Sequence, residues 1–233
     1  MADMTVRRAH PVRKPQTRYH HGDLRRALID EAVRTIGRSG AAGLTLRSAG
    51  ERLGVSRTAL YRHFSDKGAL LAAVASEGFQ RFTRDLQRAW EEGGPNLDGF
   101  NRMGRAYVGF ALENPSHYRV MFGEFRELCT KDPELQQVAY RSFEVLLNAI
   151  VTLQRAGVMR VDDPVMTGNY IWATMHGIAA LAINGLFGTT REAVDPIVRH
   201  AIERLNDALR PRSDVPAHPL TNSPVPQLTS SIG

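Results

Sequence analysis

Apolar residues recur at three- and four-residue intervals through most of the chain, the spacing of a helix with one buried stripe. Leu24, Ala27, Leu28, Ala32 and Ile36 predict a first helix from about residue 21–23 to Ser39, ended by Gly40 and Gly43. Leu46, Ala49, Gly50 and Leu53 predict a second, short helix, with Thr45 as its N-cap and Gly54 as its terminator. Ser56 is placed to cap a third, and Val55 and Leu60 hold the two positions of a hydrophobic staple. Leu60 and Phe64 face inward, which leaves Arg57, Thr58, Tyr61 and Arg62 outside. Ser65 is expected to cap the next helix, with Asp66 and Lys67 in its first turn. The stripe Leu71, Ala75, Phe79, Phe82, Leu86 and Trp90 carries that helix to about Glu91, where Gly93-Gly94-Pro95 breaks it.

Five more helices follow from the same periodicity. One spans about Leu97 to Glu113, with Phe100, Met103, Tyr107 and Phe110 on one face. Asn114-Pro115 stops it, and a short helix carries Tyr118, Met121, Phe122 and Phe125. Next come residues 133–156, closed by Gly157, and a helix from Pro164 to about Phe187, capped by Asp163. The last runs from about Val194 or Asp195 to Leu209. No alternating strand pattern of useful length occurs, so the fold class is all-α. The helix after Asp163 is apolar almost all round and needs cover on both sides, for which a second subunit is the natural source.

Two helices glued by apolar residues, the second with a polar and basic outer face, form the layout of a helix-turn-helix DNA reader. Gly50 permits a close crossing of the two. Charge supports this reading. Of the net +6, residues 1–67 carry 14 Lys+Arg against 6 Asp+Glu, and the remainder is slightly acidic. A basic head on a near-neutral body suits a polyanion at one end. Arg7, Arg8, Arg13, Lys14 and Arg18 form either an arm along DNA or a solubilising tail. The expected organisation is a disordered basic arm (1–17), a helix-turn-helix DNA-binding domain (18–67), a helical regulatory and dimerisation domain (68–209) and a disordered tail (210–233).

Residues 45–70 resemble the DNA-binding signature of the TetR/AcrR family of bacterial regulators at Thr45, Leu46, Gly54, Val55, Ser56, Leu60, Tyr61, Phe64, Lys67 and Leu70. Ala49 and Gly50 depart mildly from it. Trp172, His176 and Gly177, together with the YHHGDLR stretch at residues 19–25, resemble a subgroup of that family with a Trp…His-Gly motif. The resemblance covers about residues 18–209. It implies a regulator, more often a repressor, that binds a palindromic operator in double-stranded DNA as a homodimer and is released by a small effector.

Arg57 and Thr58, at the start of the second helix of the motif, are the candidates for base contact. Thr45, Arg47, Ser56, Tyr61, His63 and Lys67 are placed for phosphates, and Lys67 gains from free amides at its helix N-terminus. Large adaptable side chains cluster in the body: Met103, Tyr107, Phe110, Tyr118, Met121, Phe122, Phe125, Phe143, Trp172 and Met175. Met103, Tyr107, Met121, Phe125, Trp172 and His176 are the candidates for a mostly apolar pocket. Trp172 and His176 lie i, i+4 on one helix face; His176 is either a polar anchor for a ligand or a core histidine. Ala173, Gly177, Ala180 and Asn184 form a strip of small residues suited to a subunit interface.

The sequence holds no nucleophile elbow, phosphate loop or His-Glu-x-x-His motif, and its single Cys129 precludes an internal disulfide. No cofactor or metal is expected. No apolar run is long enough for a membrane span and the N-terminus lacks a signal core, which points to a cytoplasmic protein. Three readings stand: an effector-responsive DNA-binding regulator, a DNA-binding regulator without a small ligand, and an all-α enzyme.

Overall fold

The computed structural model describes residues 21–123 and 132–211. The basic arm, Phe125, Cys129 and all of the C-terminal tail after Pro211 lie outside the described residues. Nine α-helices are described, with no strands among them: α1 His21–Ser39, α2 Leu46–Leu53, α3 Arg57–Tyr61, α4 Lys67–Gly93, α5 Leu97–Glu113, α6 Pro115–Phe122, α7 Pro133–Arg155, α8 Pro164–Ile183 and α9 Arg191–Leu209. The fold is all-α, as the periodicity predicts.

Helices α1 to α3 form a small head closed on Leu28, Ile36, Leu44, Leu46, Ala49, Leu60 and Phe64, all buried. Each of these Leu, Ile or Phe side chains contributes about 1.5–3 kcal/mol on leaving water. Thr45 caps α2 in a reciprocal box: its hydroxyl accepts from Ser48 N, while Ser48 Oγ accepts from Thr45 N. Gly54 ends α2 at φ 66°, a conformation costly for residues with a Cβ. A methyl on Gly50 would meet Leu60 Cδ2 at 3.4 Å and Val55 Cγ2 at 3.5 Å, so the small residue sets the spacing of α2 to α3 and to the turn between them.

Helix α4 leaves the head and becomes the spine of the body, packing on α5, α6 and α7. Helix α8 packs on α5 and α7, and α9 on α5 and α8. The turn from α4 into α5 is tight: Gly99 lies against the carbonyl groups of Gly94 and Trp90, leaving no space for a side chain. At mid-body Gly104 of α5 lets Ile202 of α9 and Met175 of α8 approach.

Three sequence expectations are corrected. Asp66, not Ser65, is the N-cap of α4; its carboxylate accepts from Ala69 N at 2.8 Å, and Ser65 Oγ merely donates to it. Helix α8 stops at Ile183 rather than near Phe187, because Gly185 and Gly188 take positive φ and turn the chain while its residues stay apolar. Helix α9 begins at Arg191, one turn before Pro196, with Thr190 as cap. A proline crowds the carbonyl four residues back, and here that residue is Glu192, still in the first turn, where the disturbance is small.

Candidate functional site

The head presents its polar face intact. Arg57, Thr58, Tyr61 and Arg62 are exposed, and Ser56 Oγ caps α3 by accepting from Ala59 N at 3.2 Å. The Arg57 guanidinium lies 5.6 Å over the Tyr61 ring, so the two outward side chains are held together. Arg47 is almost fully exposed and pairs with Glu51 one turn on, at 2.8 Å. Thr45 is exposed at the head of α2; His63 and Lys67 are half-buried.

The α4 N-terminus differs from its sequence reading. The amides expected to draw an anion beside Lys67 are engaged by the Asp66 carboxylate. The Ala69 N–H, with Ser65, holds that carboxyl below its ordinary value. A phosphate near Lys67 therefore meets the lysine beside a neighbouring anion.

A buried carboxylate fixes the orientation of α2 on α1. Glu31 accepts from Arg52 and Thr35 at 3.0 and 3.2 Å on one oxygen and from Arg34 at 3.0 Å on the other. Burial alone would raise this carboxyl, but the bonds from Arg52, Arg34 and Thr35 outweigh it and hold it low. On the other flank the Arg25 guanidinium sits 5.4 Å over the Phe64 ring.

In the body, three helices bring four polar aromatic groups together. Trp172 Nε1 of α8 donates to Tyr107 Oη of α5 at 2.9 Å. His176 Nδ1 stands 2.7 Å from Tyr118 Oη of α6 and 3.1 Å from Tyr107 Oη, and the two hydroxyls are 3.4 Å apart. Each phenol hydroxyl can donate or accept, so Nδ1 of neutral His176 bonds to this pair in either tautomer. Burial pushes the imidazole below its ordinary value and pushes both phenols up, keeping the cluster uncharged. Phe122 packs on it, 4.8 Å from the Tyr118 ring and 5.1 Å from the His176 ring. Phe143 of α7 lies 5.9 Å from the Trp172 ring.

Of the pocket candidates, Tyr107, Trp172 and His176 thus meet directly. Met103 and Met121 are buried, Met121 against Gly78 of α4. Tyr118 belongs to the cluster but was not among the six candidates. Its aromatic position on α6 was visible in the sequence, yet its partner lies 58 residues away. Trp172 remains 39% exposed, so the cluster reaches the surface.

The small-residue strip faces outward. Ala173 and Asn184 are exposed, Gly177 and Ala180 half-buried, and a methyl on Gly177 would meet nothing within 4 Å. Met166, Tyr170 and Leu181 are large apolar residues exposed on the same helix. Among the described residues no helix is long and apolar enough to cross a membrane.

Comparison with known proteins agrees with this architecture. Residues 28–74 match the family of bacterial regulatory proteins of the tetR type, and residues 100–205 match the tetracyclin repressor-like C-terminal domain. An HTH-type transcriptional regulator of Mycobacterium tuberculosis is 29% identical over 144 residues, 60% of this chain and 58% of that relative. The match therefore spans little more than half of that curated relative's length. The class C tetracycline repressor protein of Escherichia coli is 49% identical over 51 residues, 22% of this chain and 23% of the repressor. A solved structure from Rhodococcus sp. RHA1, of unknown function, has a TM-score of 0.74 and 33% identity, covering 83% of this chain and 99% of that one. The chain belongs to the tetR family of bacterial regulatory proteins, which are DNA-binding transcriptional regulators.

Proposed function

We propose that the chain is an effector-responsive repressor that reads a palindromic operator as a homodimer. In this reading Arg57 and Thr58 reach base edges, and Thr45, Arg47, Ser56, Tyr61, His63 and Lys67 hold phosphates. The exposed apolar face of α8, with Ala173, Gly177, Ala180 and Asn184 at its centre, supports pairing with a second copy. The Trp172, His176 and Gly177 pattern supports the Trp…His-Gly subgroup.

The observation that carries effector response is the Tyr107–Tyr118–Trp172–His176 cluster. It is uncharged, walled by Phe122 and Phe143, open at Trp172, and built from α5, α6 and α8 together. Such a site suits a neutral, largely aromatic molecule that exchanges hydrogen bonds with phenol and imidazole groups. A ligand preferring the non-binding shape by about 1–3 kcal/mol would loosen DNA five- to 150-fold. The test is operator titration of wild type, His176→Ala and Trp172→Ala with and without a neutral aromatic inducer found by thermal-shift screening. Retained DNA affinity with lost induction supports the reading. Wild-type induction in both variants removes these residues from the effector site.

One observation favours a second reading, a regulator with no small ligand. The four polar groups satisfy one another, as a purely structural network would. That reading predicts that both variants lose thermal stability and that no compound in the screen releases DNA.

A further inference from the structure

Helix α6 is wedged between the head and the spine. A methyl on Gly37 of α1 would stand 3.1 Å from Ser116 Oγ, and one on Gly78 of α4 would stand 2.5 Å from Met121 Sδ and 3.2 Å from His117 Cβ. Both glycines permit contacts that a larger residue would block. Glu77, beside Gly78 in the chain, places its carboxylate at this junction. One oxygen accepts from Arg26 of α1 at 3.0 Å. The other pairs with Arg81 on its own helix at 2.5 Å and stands 3.6 Å from His117 Nε2 of α6.

Two features make this junction poised rather than closed. His117 is 4% exposed, and its Nε2 has no hydrogen-bond partner. A separation of 3.6 Å lies just beyond a hydrogen bond, so the atom is left unsatisfied by a few tenths of an ångström. Arg26, for its part, has a second carboxylate at hand, Asp30 at 3.0 Å. If Glu77 turns towards α6, His117 gains a partner and Arg26 keeps one. In the observed arrangement Arg26 is paired and His117 Nε2 is not; in the other His117 is paired and Arg26 keeps Asp30, so the same groups offer two alternative pairings.

We infer that Glu77 is a positioning residue that couples α6 to the DNA-reading head, holding α1 through Arg26 in one arrangement and α6 through His117 in the other. Helix α6 also carries Tyr118 and Phe122, so the body cluster acts on the same helix. That last link rests on the effector reading above; the link between α6 and the head does not.

The experiment needs no effector. The full chain is given a DNA duplex that it selects from a random pool, and hydrogen exchange of the α6 amides is followed with and without the duplex. By reciprocity, a head that responds to α6 must make α6 respond to DNA. Expected in wild type is a slowing of α6 exchange by about fivefold or more on binding, the low end of allosteric coupling. Glu77→Gln and Arg26→Gln should bind DNA without that slowing, and Arg26→Lys, which keeps a cation for Glu77, should restore it. The Arg26 side chain is 51% exposed, so its variants report on the junction even where Glu77→Gln folds poorly. A merely structural role would lower the melting temperature and leave the DNA-induced slowing intact. Equal slowing in wild type and both Gln variants overturns the inference, as does a wild type that binds DNA with α6 exchange unchanged.

Discussion

Tyr118 and Tyr107 compete for one atom: their hydroxyls stand 2.7 and 3.1 Å from His176 Nδ1, whose one lone pair or one N–H serves a single strong bond. Each is therefore a reserve for the other. Tyr118→Phe should cost only about 1 kcal/mol, because the Tyr107 hydroxyl can take over the bond to the nitrogen. Tyr107→Phe should cost a similar amount, since Trp172 Nε1 loses its acceptor near solvent. The double variant leaves the nitrogen unpaired and should exceed the sum by at least about 0.5 kcal/mol. Chemical denaturation of the four proteins measures this, and strict additivity would show that the bonds are not shared.

Acid should weaken the fold before any carboxylate titrates. Burial holds His176 below its ordinary value of 6.5 and does the same to His117, against the pull of Glu77. A lowered value means that the unfolded chain takes up the proton first. The stability from each neutral histidine is complete above pH 6.5 and falls as the pH drops towards and through the folded values. Each can add at most about 1.4 kcal/mol per pH unit to the slope. Melting temperatures from pH 7.5 down to about 5 should decline in wild type, and less in His176→Gln and His117→Gln, within the histidine window. Parallel curves would contradict the assignment.

The α4 cap separates two neighbouring side chains. Asp66→Ala should cost about 1 kcal/mol, and Ser65→Ala a few tenths. The Asp66 contribution is complete above its ordinary value of 3.8 and is lost as the pH falls through the lower folded one. Equal losses at neutral pH would restore Ser65 as the cap. Thermal melts of the two variants decide.

At the DNA face, Arg57→Ala should flatten sequence preference at one base pair by about 1–3 kcal/mol. Lys67→Ala should weaken all sequences alike and lower the salt slope by about one unit. Glu51→Ala frees Arg47 from its 2.8 Å partner and should tighten binding to any duplex. Fluorescence anisotropy over a salt series reads all three, and unchanged slopes in Lys67→Ala and Glu51→Ala would clear Lys67 and Arg47 of phosphate contact.

For the α8 face, Gly177→Arg places a charge where a methyl meets nothing within 4 Å, so helical content should not change. Sedimentation at micromolar concentration should give a dimer for wild type and a monomer for the variant. With one head in place of two, operator affinity should drop by about 10²–10⁴-fold. A variant that sediments with wild type would move the interface elsewhere.

What could be read in the sequence was local. The caps at Thr45 and Ser56, the terminator Gly54 and the inward pair Leu60 and Phe64 interact within a few residues, and each appears as expected. The errors arose where two local signals compete. Ser65 and Asp66 are both good capping residues and adjacent; only the backbone shows which carboxylate or hydroxyl meets the Ala69 amide. The last helix reads as starting near Val194 or Asp195, yet Thr190 caps it about one turn earlier. The relationships that matter for function were out of reach because they are distant in the chain. Tyr107 and His176 are separated by 69 positions, and Arg26 and Glu77 by 51. Periodicity assigns a face to each residue and is silent on which faces meet.

The close turn at Gly99 has a mechanical consequence. Helix α4 has 27 residues, so it is a rod about 40 Å long. Its far end is clamped where Gly99 meets the backbone of Trp90 and Gly94, while its near end carries Lys67 at the border of the head. A rod fixed at one end works as a lever, and a tilt of about 5° sweeps its free end through about 3.5 Å, close to the 3.4 Å rise of one base pair. The gearing comes from length alone. A displacement of a few tenths of an ångström near the clamp, too small to disturb the core, would carry the other end through about one base-pair step.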